Sequence, residues 1–338
     1  MSNGNFLKIF LFLNIVFLSL IASFIYFIDP FWTFSHSNKF NSIQYGSNER
    51  EQKSNLLYFK ETNYDGLLLG SSRVTFLNQK DFKDINVFNY SFSLAMPEDY
   101  SKYIEFAKKQ NKKDFEYIII GLDFFGSNKN VEKNINPDDV FKNISSFGYK
   151  YKLLLSIDSL KVALENFKRS VLHNYGGRSY DRENIAYTTK IDENKVIEVV
   201  ENTKVEEFIG NIKEYQFNDD LGKIFEQLKI ENPNSKFIVF TTPTTKFYLD
   251  KLKELNLYED YKKWLKTSVN SFDKVVHFMD YNSITTNYPK YFMDYHHIYP
   301  EYSELIINKI MNNKENIVED FGKVLTKENL ETYLGELN

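Results

Sequence analysis

Residues 65–73 read DGLLLGSSR, an unbroken apolar run closed by a Gly-Ser-Ser turn. Four more runs of this kind follow: Val87–Tyr90, Tyr117–Leu122 (YIIIGL), Lys236–Thr241 (KFIVFT) and Val275–Met279 (VVHFM). Apolar runs without polar alternation, separated by stretches of helical periodicity, indicate strands buried on both faces of a parallel sheet. The expected fold is therefore α/β, a three-layer sandwich around a central, mainly parallel five-stranded sheet. It occupies residues 61–313. Between the third and fourth runs an insertion at about 128–233 exceeds any single crossover helix. Within it Tyr151–Val171 reads as a helix, Asn174–Asn184 as a Gly- and Arg-containing loop, and Val205–Ile230 as a second long helix. This insertion is positioned to cover a site, and residues 314–338 are expected to form a helical tail.

The 338 residues suggest one large domain or a domain with an elaborate insertion. With 42% hydrophobic residues, 31 Phe and 24 Tyr, the chain can bury a substantial core, which excludes full disorder. The 42 basic and 46 acidic residues nearly cancel, so no broad field attracts nucleic acid. Zero cysteines exclude disulfides, thiolate zinc sites and cysteine nucleophiles.

Near the N-terminus, Ile9–Ile28 (IFLFLNIVFLSLIASFIYFI) carries no charge. At about 1.5 Å per residue it spans the roughly 30 Å hydrocarbon core of a bilayer. It is read as a transmembrane anchor following a short tail of residues 1–8 and leading into a juxtamembrane segment, 29–60. A cleaved signal peptide is the rival, since Ala22-Ser23 offers small residues at a suitable depth. Cutting there would leave SFIYFIDPFWTF exposed, so the retained anchor is adopted. Lys8 on one side and Asp29 on the other place the remaining chain outside the cytoplasm, in the periplasmic direction. Phe31, Trp32 and Phe34 fit an interfacial aromatic belt.

In open α/β sheets ligands sit beyond the carboxyl ends of the strands. The first run ends in Gly70-Ser71-Ser72-Arg73, the third in Asp123, and the fifth leads to Asp294-Tyr295-His296-His297 before an amphipathic segment with Tyr302, Leu305, Ile306 and Ile310 on one face. Three residues apart, Asp294 can hold the Nδ1–H of His297, which leaves Nε2 to take a proton from a serine hydroxyl. Ser72 is the serine that this fold class would bring there.

These residues resemble the SGNH (GDSL-type) hydrolase superfamily, in particular the membrane-anchored extracytoplasmic group similar to polysaccharide O-acetylation and teichoic acid D-alanylation proteins. The resemblance covers roughly Asp65 to Ile310. It implies Ser72 as nucleophile, His297 as base and Asp294 as its orienter, with no cofactor. The second block of the family resembles Phe88-Asn89-Tyr90-Ser91-Phe92-Ser93, with Ser91 in place of the usual glycine and its N–H, together with that of Ser72, as oxyanion donors. The third normally supplies an Asn, whereas Gly121-Leu122-Asp123 offers a carboxylate. Losing such a donor costs about 2.7–4 kcal/mol of transition-state stabilisation. The resemblance further implies an acylated glycan or acyl donor as substrate and a membrane-bound O-acyltransferase as partner.

Plainer readings stand beside these. Gly-Ser-Ser is also a common helix cap. His277, inside an apolar run, reads as a hydrogen-bonded core residue, and His296 as a neighbour rather than a ligand. No metal is expected, since adjacent histidines diverge. Asn89 either orients the nucleophile turn or ends a strand. Arg73 either recognises an anionic substrate group or forms an ion pair, and Asp123 either meets a sugar hydroxyl or pairs with Arg73. The expected function is a serine esterase or O-acyltransferase acting on a cell-envelope or exported polysaccharide. The alternative is a catalytically inactive glycan-binding or scaffolding protein.

Overall fold

The computed structural model describes residues 3–131, 135–203 and 215–337. In chain order its strands are β1 (Ile43–Tyr45), β2 (Gly66–Leu69), β3 (Val87–Asn89), β4 (Tyr117–Leu122), β5 (Ser179–Asp181), β6 (Ala186–Tyr187), β7 (Lys236–Thr241), β8 (Lys274–His277) and β9 (Lys323–Thr326). Two compact units share them. One holds the chain up to Glu61 together with Asp138–Thr189, the other Thr62–Pro137 and everything from Lys190 onward.

The second unit is built on a six-stranded sheet in the order β3-β2-β4-β7-β8-β9. All five apolar runs are strands of it and pair in parallel, with Leu67 opposite both Phe88 and Ile118, Gly121 opposite Phe240, and Thr241 opposite His277. Successive residues Leu67, Leu68 and Leu69, and likewise Ile118, Ile119 and Ile120, are all buried, so both faces of the sheet are covered. That explains why these strands lack polar alternation.

The sixth strand corrects the expected count of five. β9 runs antiparallel on the outer edge beside β8, within the segment expected to be a helical tail. Among its described residues that segment is helical only at Leu330–Glu336.

The first unit contains a small antiparallel sheet, β1-β5-β6. Its β5 lies within 174–184, expected as loop, and β1 and the helix Glu49–Phe59 lie within the juxtamembrane segment. The expected helix 151–171 is two helices, Tyr149–Leu154 and Ile157–Val171, because Ser156 caps the second by accepting the Ser159 N–H at 3.3 Å. Of the expected helix 205–230, residues 205–214 lie outside the described part, and Leu221–Glu231 is helical.

The N-terminal helix, Asn3–Ile28, starts inside the expected tail and is long and apolar enough to cross a membrane. Its residues 4–20 are exposed. Trp32 and Phe31 do not form an exposed belt. Both are buried, and Trp32 packs edge-on against Tyr180 at 5.7 Å, where the ion pair of Asp29 with Arg182 fixes the chain leaving the helix.

Candidate active site

Strand order decides where the second unit can hold a ligand. After β2 the chain turns to β3 on one side, then crosses to β4 on the other, so the winding reverses between β2 and β4. A crevice opens beyond the carboxyl ends of the two strands at such a reversal. Ser72 follows β2 there, and Asp123 follows β4.

Glycine shapes the turn that presents Ser72. Gly70 has φ +153°, and a Cβ there would meet Val74 Cγ2 at 2.3 Å and the Gly121 carbonyl oxygen at 3.0 Å. A Cβ on Gly121 would meet the same Val74 methyl at 2.4 Å. Val74 therefore plugs into a depression that two glycines leave on the sheet, and this seats the turn carrying Ser72. From the neighbouring strand, the Asn89 amide donates to the carbonyls of Val74 (3.1 Å) and Leu77 (2.9 Å) and clamps the far side of that turn. Of its two readings, Asn89 takes the orienting one while also ending β3.

The histidine arrives on a pinched loop. Phe292 and Ile298 form an antiparallel bridge, and Met293 N–H donates to the His297 carbonyl at 3.0 Å. Inside it Asp294 Oδ1 accepts the N–H groups of His296 (2.9 Å) and His297 (2.8 Å), while Oδ2 lies 2.6 Å from His297 Nδ1. A carboxylate can only accept, so Nδ1 carries the proton and Nε2 is left as acceptor. It faces Ser72 Oγ at 2.9 Å. The 225 residues separating the two in the chain are closed by one hydrogen bond.

Burial alone would raise the Asp294 carboxyl, but electrostatic interaction with the His297 and His296 rings and the hydrogen bonds it accepts from both residues hold it well below the usual carboxylate range. Phe76 packs edge-on against the His297 ring at 5.7 Å. Ser72 and the side chains of His297 and Asp294 remain partly exposed, so a substrate can reach them. A hydroxyl, a neutral imidazole and a carboxylate in this order can deprotonate the serine as it attacks a carbonyl.

The expected oxyanion donors fare unequally. Ser91 is fully buried and its N–H donates to Asn89 Oδ1 at 3.1 Å, so Ser91 does not fill the donor role expected of it. The Ser72 N–H, by contrast, has no partner among the described residues. Asp123 pairs with Arg73 at 3.1 Å, both side chains almost completely buried, and Thr242 Oγ1 also donates to Asp123 Oδ1. Its Oδ2 has no partner among the described residues. The Arg73 guanidinium lies over Phe125 and Tyr248.

The adjacent histidines do not diverge as expected: Asp294, His296 and His297 bring one potential ligand atom each within 4.8 Å of one another. Coordination through His297 would compete with its bonds to Asp294 and Ser72, so the same atoms cannot serve a metal and the serine chain together. Sequence reading passed over the threonines after β7. Thr242 holds Asp123, and Thr245 donates through both N–H and Oγ1 to the Tyr295 carbonyl at 3.0 Å, tying the β7 end to the histidine loop. The run Thr241-Thr242-Pro243-Thr244-Thr245 at a strand's carboxyl end was the available signal. Compared with protein-family models and with curated proteins, the chain matches none.

Proposed function

We propose that this chain is an SGNH-like, membrane-anchored serine esterase or O-acyltransferase acting on a cell-envelope or exported polysaccharide, with its globular part outside the cytoplasm. The proposed architecture is the three-layer α/β sandwich of that superfamily, extended by one antiparallel edge strand. The observation that carries the reading is the continuous chain Ser72–His297–Asp294 beside the winding reversal of the sheet.

Ser72 Oγ attacks the acyl carbonyl while its proton passes to His297 Nε2, and Asp294 stabilises the imidazolium. The free Ser72 N–H supports the developing oxyanion. The tetrahedral intermediate collapses, the C–O bond to the alcohol breaks, and His297 returns the proton to the departing oxygen. A sugar hydroxyl or water then gives its proton to His297 and attacks the acyl-serine; the acyl–Oγ bond breaks and His297 returns that proton to Ser72 Oγ, which leaves a new ester or a free acid and the regenerated serine. A membrane-bound O-acyltransferase is the proposed source of the acyl group.

A second reading, an inactive glycan-binding or scaffolding module, is favoured by the occupied Ser91 N–H and by the Asp123 carboxylate where an oxyanion donor would stand. Labelling of the full chain in membranes with a fluorophosphonate separates the two. Activity requires an adduct that vanishes in Ser72→Ala. A chain that stays unlabelled with and without a membrane-bound O-acyltransferase would be the binding module. Release or transfer of acetyl from acetylated sugars under the same two conditions then distinguishes esterase from transferase.

A further inference from the structure

We propose that the helix Ile157–Val171 lies in the membrane interface alongside the anchor, with its outer stripe in contact with anionic phospholipid. This rests on the reading of Asn3–Ile28 as a membrane-spanning helix.

Length fixes where the two helices meet. The apolar span Gly4–Ile28 has 25 residues. At about 1.5 Å each these reach about 37 Å, but the charge of Lys8 keeps the first turn in the opposite headgroup layer, so Ile9–Ile28 covers the roughly 30 Å of hydrocarbon and Ile28 stands at its far boundary. It is that end, and not the exposed stretch 4–20, that carries protein contacts. Ile25 and Ile28 are buried in a cluster with Ala163, against which Ile21, Phe24, Leu160 and Phe167 pack, and Phe24 meets Phe167 edge-on at 5.8 Å. The inner face of Ile157–Val171 is thus fastened to the segment of the anchor that emerges from the bilayer.

Its outer face has the chemistry of that depth. Ile157, Lys161, Leu164, Lys168 and Val171 follow one another at spacings of four and three, which aligns them along one side of the helix. The three apolar members are 71%, 52% and 52% exposed, which in water would leave an uncovered apolar stripe. Interleaved lysines suit it to an interface, where their methylene stems lie along the acyl boundary and their ammonium groups reach lipid phosphates. Lys161 is not held back from that role, since its pair with Asp158 spans 3.5 Å between highly exposed side chains. Leading into the helix, Leu155 is exposed as well. A bilayer interface covers all of these at once.

The chain has no cysteine, so single cysteines can be placed without background. Ile157→Cys, Leu164→Cys and Val171→Cys, with Leu13→Cys as the anchor control, are labelled with an environment-sensitive fluorophore. The full chain is reconstituted in phosphatidylglycerol–phosphatidylcholine vesicles carrying shallow (5-doxyl) or deep (12-doxyl) nitroxide lipids, and circular dichroism checks that each variant is folded. Positions 157, 164 and 171 should lose emission about twofold, more to the shallow quencher than to the deep one, and position 13 the reverse. Quenching at 13 but at none of the stripe positions overturns the interface proposal and leaves the anchor standing. A blue shift at the stripe without nitroxide quenching also overturns it, because a second copy or another protein then covers the face. An unquenched position 13 refutes the anchor itself.

Discussion

Two hydroxyl–imidazole chains are built on the same sheet: Ser72–His297–Asp294 at the end of β2, and Thr241–His277–Tyr261 across β7 and β8. Each holds a hydroxyl about 2.9 Å from one ring nitrogen and an oxygen against the other. They part at the third member. Tyr261 OH donates to the Met279 carbonyl at 2.5 Å, so it accepts from His277 Nε2–H at 2.8 Å, and Nδ1 accepts from Thr241. Thr241 Oγ1 in turn accepts the N–H groups of Phe278 and Met279. Every member of that chain is satisfied, and Thr241 and His277 are fully buried. Burial pushes the His277 imidazole down to about 4, which keeps it neutral. The first chain ends instead on a carboxylate that stabilises a protonated ring, and its serine meets solvent. Hydrogen-bond distance alone therefore does not mark a reactive histidine; the charge behind the ring and an open path to the hydroxyl do.

The comparison breaks most visibly at the two hydroxyls. Ser72→Ala should lower acyl-transfer turnover by about 1,000-fold or more and abolish fluorophosphonate labelling, with little change in thermal stability. Thr241→Val should do the opposite. Labelling persists, while stability falls by about 1–3 kcal/mol because His277 Nδ1 and two backbone N–H groups lose their partner. If Thr241→Val were instead the variant that lost labelling, the assignment of the two chains would be reversed. Next in size, Asp294→Asn should cost about 100- to 10,000-fold in kcat by permitting the wrong ring tautomer. As the wild-type Asp294 carboxyl is held well below the usual carboxylate range, an acid loss of activity does not report its protonation.

Acid sharpens the contrast from the stability side. The folded His277 titrates at about 4 and an unfolded histidine near 6.5, so between those values the unfolded chain binds the extra proton. Stability from this group is complete above about 6.5, declines as the pH falls toward about 4, and changes no further below it; the total is about 3 kcal/mol. Denaturant midpoints of wild type and His277→Gln, compared across that window, should diverge, with the variant losing this part of the slope. Parallel curves would mean that His277 is not held neutral.

How much of this was legible follows from where the information lies. β4 and β7 match their apolar runs residue for residue, because a strand covered on both faces is written as continuous hydrophobicity. β9 was invisible: an edge strand of four residues beginning with Lys323 and half exposed carries no such run. Asp294 and His297 could be paired on paper because their geometry closes within one turn. Trp32 misled for a related reason, since an aromatic just after an apolar helix suits a membrane interface and a protein core equally well. Whether the Ser91 N–H is free depends on the rotamer of Asn89, which no local pattern records. Nor does any spacing reveal that Gly70 and Gly121 share one partner in Val74.

The subtlest contrast lies in what the surroundings do to the buried ring. Asp280 accepts from Lys323 at 2.8 Å, and His277 feels both, the carboxylate raising its affinity for a proton and the ammonium lowering it. Lys323 is about half exposed, so its share is screened and small. Lys323→Met removes only the opposing charge. The His277 titration, followed by NMR, should move upward by less than about one pH unit. Because the folded value moves closer to the unfolded one, the His277 part of the acid destabilisation shrinks. Asp280, stripped of its cation, rises as well, and the stability its depressed carboxyl contributes is withdrawn above about pH 4, so the denaturant midpoint mixes two effects of opposite sign. The site-resolved titration is thus the measurement that decides. A downward movement of His277 would show that Lys323 acts on it chiefly by holding the Asp280 carboxylate in its charged form, while fluorophosphonate labelling of Ser72 should remain at the wild-type level throughout.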